Sequence, residues 1–163
     1  MRSRFLLAVL CTAVFAAGTS FSEQAPAASA HNMVTPAQIV WGAGPPGLPP
    51  GVQTAVIFGD PGQPGPFTLR ARMPAGYRIG PHWHPTDEHV TVLSGTVAMG
   101  MGETFDEKAL MDLPPGGYAG MAPNTRHFLR TKTAAVIQVH GTGPFAITYV
   151  NPKDDPRNAA PKM

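Results

Sequence analysis

Eighteen glycines and nineteen prolines make up close to a quarter of the 163 residues. Breakers at that density forbid long helices and suit many short strands joined by tight turns. Only 13% of the residues are charged, against about 25% in an average soluble domain, which excludes a solvated coiled coil or a charge-driven disordered chain. The length suits one domain with one core and leaves no room for a second catalytic domain. The expected class is all-β.

Residues 1–30 read as a cleaved secretory signal peptide. Arg2 and Arg4 precede an apolar run over residues 5–18, and the small-residue site Ala28-Ser29-Ala30 follows. Thr12 interrupts the run, which falls short of the roughly 20 residues a spanning helix needs. The expected mature chain is therefore exported, periplasmic or secreted, and free of the membrane. The only cysteine, Cys11, leaves with the leader, so no disulfide is expected, and stability must come from the core or a bound metal. The formal net charge is +2 and no run of basic residues occurs, which argues against nucleic acid or an anionic membrane surface as partner. A homodimer is compatible with this reading.

Residues 31–53 form a loop-rich N-terminal arm punctuated by Gly-Ala-Gly-Pro-Pro-Gly and Pro-Pro-Gly, with the apolar run 52–58 at its end. From Phe67 the pattern becomes strict alternation, with Phe67, Leu69, Ala71 and Met73 on one face and Thr68, Arg70 and Arg72 on the other. That is a half-buried strand. Further strands are expected at residues 89–93, 97–101, 109–113, 118–121, 127–131, 134–140 and 145–150, and short, regular spacing of this kind argues for a sandwich or barrel. Residues 104–110 carry a weak helical pattern, and the polar, proline-punctuated tail 151–163 is expected to fray.

The chemistry concentrates between Gly80 and Val90. His82 and His84 lie two residues apart, so on an extended segment their rings project to the same side. The turn Pro85-Thr86-Asp87 lets the chain reverse, and Glu88 opens the next strand with its carboxylate able to return toward the two imidazoles. Two neutral nitrogens and one anionic oxygen form a set that divalent first-row metals prefer. His127 lies on another alternating segment and shares a face with Leu129 and Thr131. Only a folded barrel could bring it to the others.

Gly76, five residues, His82-Trp83-His84, three residues, Glu88, six residues and Gly95 match every position of a motif that resembles the first signature of the cupins. The second signature of that family is looser here. Gly116 and His127 have its spacing, while Ala122 and Asn124 stand in its proline and glycine places and Pro123 is shifted by one. Asparagine tolerates left-handed backbone better than most residues, so the turn before His127 can survive. The resemblance covers residues 54–150 and implies a double-stranded β-helix barrel of jelly-roll type. It also implies metal-ligand roles for His82, His84, Glu88 and His127 around a divalent first-row ion (Fe, Mn, Ni, Cu or Zn).

Cupins of this pattern include dioxygenases, oxalate-degrading enzymes and isomerases. The resemblance thus implies an oxidoreductase of dioxygenase type acting on a small-molecule substrate. Two other readings stay open: a non-catalytic periplasmic module that binds metal or small ligands, and a redox-neutral isomerase or lyase. Tyr118 and His140 are the catalytic candidates outside the four ligands. Tyr118 could donate a proton to a bound oxygen species, and His140 shares a strand face with Gln138, opposite the apolar Ala135, Ile137 and Val139. By alternation His89 and Arg126 should point away from the site. Met99, Met101, Met121, Phe128, Tyr77, Tyr118 and Trp83 are candidates to line a mostly apolar pocket, most of them as ordinary core.

Overall fold

The computed structural model describes residues 32–159, and the leader expected over residues 1–30 lies outside them. Eleven strands form: β1 (Gly42–Ala43), β2 (Gln53–Phe58), β3 (Gly65–Met73), β4 (Arg78–Trp83), β5 (Glu88–Ser94), β6 (Val97–Met101), β7 (Met111–Leu113), β8 (Tyr118–Met121), β9 (His127–Thr131), β10 (Ala135–Gly143) and β11 (Thr148–Tyr149). They make a six-stranded sheet in the order β1-β2-β3-β10-β5-β8 and a five-stranded sheet in the order β11-β4-β9-β6-β7. All the pairs are antiparallel. Among the described residues no helix is long and apolar enough to cross a membrane.

The alternation that marks the strands also makes the core. Phe67, Ala71 and Met73 of β3, Val90 and Val92 of β5, and Ala135, Ile137 and Val139 of β10 face inward from the larger sheet. Ile79, Val97, Met99 and Leu129 meet them from the smaller one. Burying each of these side chains larger than alanine stabilises the fold by about 1.5 to 3 kcal/mol. The two sheets pack face to face as a jelly roll, and among the described residues no ladder joins them, so the expected barrel is not closed by hydrogen bonds. The physical reason lies in the edge strands β1, β7, β8 and β11, which have only two to four residues each, too few to pair around a corner.

Two further expectations are corrected, and one strand is added. β4 was not among the expected strands, although His82 was placed on an extended segment; its ladder to β9 shifts register between Ile79 and His82, where the missing amide of Pro81 costs no regular bond. The strand expected over residues 109–113 keeps only β7, because Asp106 caps a 3-10 turn at Glu107–Ala109 through Lys108 N–H. Residues 145–147 leave the sheet expected over 145–150, and only β11 pairs, against β4. Within the tail, Asn151 and Asp155 cap the successive 3-10 turns Pro152–Asp154 and Pro156–Asn158.

Candidate metal centre

His82 on β4 and His127 on β9 are direct cross-strand partners, so the ladder of the five-stranded sheet sets their imidazoles side by side, with ring centroids 4.1 Å apart. His84 follows the end of β4 and presents its ring to the same point, 5.1 Å from His82 and 5.4 Å from His127. Glu88, the first residue of β5, reaches in from the opposite sheet. All four side chains are buried. One ligand atom from each of the three histidines lies within 4.8 Å of the others.

Each histidine is oriented by a backbone carbonyl. His82 Nδ1–H donates to Gly80 O at 2.9 Å, His84 Nδ1–H to Ala146 O at 2.8 Å, and His127 Nδ1–H to Thr125 O at 3.0 Å. A carbonyl can only accept, so each bond places the proton on Nδ1 and leaves the Nε2 lone pair free. Phe145 stacks on His84 with centroids 4.2 Å apart and planes 14° from parallel, fixing the ring further.

The Nε2 atoms face an anion. Glu88 Oε2 lies 3.1 Å from His127 Nε2 and 3.5 Å from His84 Nε2. Neither His84 Nε2 nor Glu88 Oε2 makes a hydrogen bond among the described residues. Lone pairs of neutral imidazoles set this close to a carboxylate repel unless a proton or a cation sits between them, and buried polar atoms rarely go unpartnered. Atoms bonded to one ion at about 2.1 Å lie within about 4.2 Å of each other, so the observed set needs little contraction. The residues fit a divalent ion.

The protonation tendencies divide along the same lines. Burial, reinforced by the neighbouring His127 and His84, pushes the His82 pKa well below its ordinary value. Burial also lowers His84, outweighing the opposing pull of Glu88. For His127 burial again works downward, but the close Glu88 carboxylate overcomes it and the pKa is raised.

The four donors sit at the wall of a cavity of about 630 Å³ whose lining is otherwise mostly aliphatic. Of the residues expected to line it only Met99 does so; Leu69, Ile79, Val90, Leu129, Ile137 and Val139 supply the sheet walls. Pro45, Pro46 and Leu48 of the N-terminal arm and Phe145, Ala146 and Ile147 complete the rim. Met101 and Tyr118 are exposed, Tyr77 donates its hydroxyl to Pro49 O, and Phe128 packs on Phe105. Met121 belongs to the core and Trp83 lies under the Arg126 guanidinium. The carbonyls of Gly80, Thr125 and Ala146 went unnoticed in the sequence, because a backbone acceptor leaves no residue-type signal.

Tyr118 and His140 are not brought to this site. They lie on the outer face of the six-stranded sheet, where His89 stacks on His140 at 4.9 Å and binds both the Tyr118 hydroxyl and Asp87. Strand alternation decides this, since Val90 and Val139 beside them face the core. Arg126 lies with Glu103 and over Trp83, outside the cavity lining.

Two facing antiparallel sheets with a three-histidine cluster between them define a protein of the cupin fold with a site able to hold a divalent metal. Solved structures share the fold. The chain is similar to the polyketide cyclase RemF from Streptomyces resistomycificus, with a TM-score of 0.63 and 15% identity, over 78% of this chain and 90% of that one. It is similar as well to a candidate acetylacetone dioxygenase from Methylibium petroleiphilum, with a TM-score of 0.59 and 21% identity, over 77% and 85% of the two chains. The DMSP lyase DddQ from Ruegeria pomeroyi gives a TM-score of 0.55 and 21% identity over 69% and 61%. At these identities the likeness is one of fold. No protein-family model and no curated protein matches the sequence.

Proposed function

We propose that the chain is a metal-dependent oxidoreductase of dioxygenase type, acting on a small, largely apolar organic molecule at His82, His84, Glu88 and His127. The observation that carries the proposal is the cluster of three buried histidines at the wall of a mostly aliphatic cavity, with the Glu88 carboxylate 3.5 and 3.1 Å from His84 and His127 and with His84 Nε2 and Glu88 Oε2 unpartnered among the described residues. Four donors leave one or two positions of an octahedral ion open, as a catalytic rather than a structural site requires. A redox-active ion bound there supplies Lewis acidity and one-electron chemistry toward dioxygen. The chain's own residues then do three things. The carbonyls of Gly80, Ala146 and Thr125 hold the imidazoles in one tautomer, Glu88 offsets the cation's charge, and the aliphatic walls exclude water and limit the substrate to a compact molecule.

A redox-neutral cyclase or lyase is the second reading, supported by the cyclase and lyase among the fold's neighbours. Export to the periplasm or medium is proposed on the N-terminal segment alone. Elemental analysis of protein purified from its native host, followed by oxygen-electrode assays on phenols, enediols and β-diketones, tests the proposal. Iron, manganese, nickel or copper with oxygen uptake supports it. A redox-inert ion with no uptake transfers the case to the redox-neutral reading.

A further inference from the structure

The C-terminal segment packs against the stretches of chain whose carbonyls orient two of the histidines. Arg157 Nη2 donates to Ile147 O at 3.0 Å, and Ile147 follows Ala146, whose own carbonyl takes the His84 proton. The guanidinium is itself held rigid, since its Nε and Nη2 bond to the two carboxylate oxygens of Asp155 at 2.8 and 2.7 Å, and the 3-10 turn at Pro156–Asn158 fixes the backbone between them. Arg157 also lines the cavity beside Gly47, where an added Cβ would meet the Ile147 side chain at 2.7 Å and the guanidinium carbon at 3.6 Å. On the other side of the site Asp154 lies against Gly80, the acceptor for His82; a Cβ at Gly80 would fall 2.9 Å from the Asp154 carboxylate.

We propose that Arg157, clamped by Asp155, is a positioning residue that fixes the 145–147 segment, and through it the Nδ1–H tautomer and direction of His84. The proposal rests on the reading of the histidines as a metal site. Groups hydrogen-bonded directly to a ligating imidazole typically carry 10- to 100-fold in metal affinity, and Arg157, which acts one residue further out through Ile147 O, is assigned the low end of that range. Arg157→Met keeps much of the length of the side chain and removes every donor; Arg157→Lys restores a cationic donor group without the two-pronged geometry. Lys132→Met removes a comparable surface pair, with Asp112, from residues outside the cavity lining.

Two measurements on the full-length chain decide it. Cobalt(II) titration should show Arg157→Met binding about tenfold more weakly than the parent, with Arg157→Lys recovering part of the loss and Lys132→Met matching the parent. Nitrogen-15 spectra of the imidazoles, taken without metal, should show His84 as a single Nδ1–H tautomer in the parent and as a mixture in Arg157→Met. Parental cobalt affinity together with an unmixed His84 tautomer in Arg157→Met overturns the proposal. A parent chain that binds no cobalt overturns the metal reading instead, and the tautomer of His84 then decides the positioning role on its own.

Discussion

Glu88 is the residue on which the charge balance of the site turns. Its Oε2 is buried within 3.5 Å of two imidazole nitrogens and makes no hydrogen bond among the described residues. In Glu88→Gln the shape persists and the charge goes. A pair of unit charges about 4 Å apart is worth on the order of 4 kcal/mol at an effective dielectric of 20, so cobalt(II) affinity, measured by titration, should fall at least about a hundredfold. His84→Ala should lose as much, whereas His127→Ala, which leaves the local set His82, His84 and Glu88, should retain partial binding. If the three variants bind as tightly as the parent, the site is wrong. The same substitution predicts a change without metal: in the parent the His127 pKa is raised because Glu88 outweighs burial, and in Glu88→Gln burial is opposed only by the bond to Thr125 O, so the imidazole should titrate lower than in the parent. Proton NMR reads the difference. Since only neutral imidazole ligates, metal affinity should begin to fall as pH drops through the raised pKa of His127, about tenfold per pH unit, and more steeply once His82 and His84 compete lower down. Titrations between pH 8 and 5 check the sign; a flat profile contradicts it. For the metal-free fold the signs separate. His82 and His84, lowered, take protons more readily when unfolded, so their share of stability is lost as pH falls below 6.5, while the share of His127 is lost as pH rises through its raised value.

Two elements aim the histidines, and both were partly legible as spacing. Gly76, Gly95 and Gly116, the glycines of the two signatures, all have positive φ, so the intervals that separate them from the ligands measure the distance from a tight turn to the next strand. Asn124 takes the glycine place before β9 with φ +63°, the one positive value at a non-glycine residue among those described, and its N–H donates to His84 O at 2.8 Å. The loosened second signature therefore still makes the turn. Asn124→Gly should be nearly neutral in denaturant unfolding, and Asn124→Ala should cost about 1 to 2 kcal/mol because a Cβ disfavours this conformation; equal stability of the two variants would show the turn unstrained. What the sequence left hidden has one physical origin. Alternation reports which face of a strand is buried, and so placed Phe67 to Met73 and sent His89 outward, but it cannot report a strand interrupted at Gly80-Pro81, nor contacts made through backbone carbonyls. The tail shows the same limit: Asn151 and Asp155 read as polar residues of a loose end, and their capping of two turns became visible only with the backbone in place.

Across the whole molecule the site is a cross-link between the sheets. His82 and His127 come from the five-stranded sheet, Glu88 from the six-stranded one, and His84 from the connection between them. Among the described residues no backbone ladder joins the sheets, so a bound ion adds bonds where the fold otherwise relies mainly on apolar packing, with isolated hydrogen bonds such as those of the Tyr77 and Tyr149 hydroxyls to Pro49 O and Gly47 O. An ion that binds only the folded chain stabilises it by about 2.7 kcal/mol at a free concentration 100 times its dissociation constant. For a domain of this length each kcal/mol raises the melting temperature by roughly 3 to 4 °C, so saturating metal should raise it by about 10 °C. The rise should vanish with a chelator. It should be absent in His82→Ala, whose imidazole belongs to the site and bonds only Gly80 O, outside the ladder between strands. Calorimetric scans of parent and variant, each with and without cobalt(II), make the comparison. A parent that gains nothing, or a His82→Ala variant that gains as much as the parent, would mean that the ion binds elsewhere and that the two sheets are not bridged through this site.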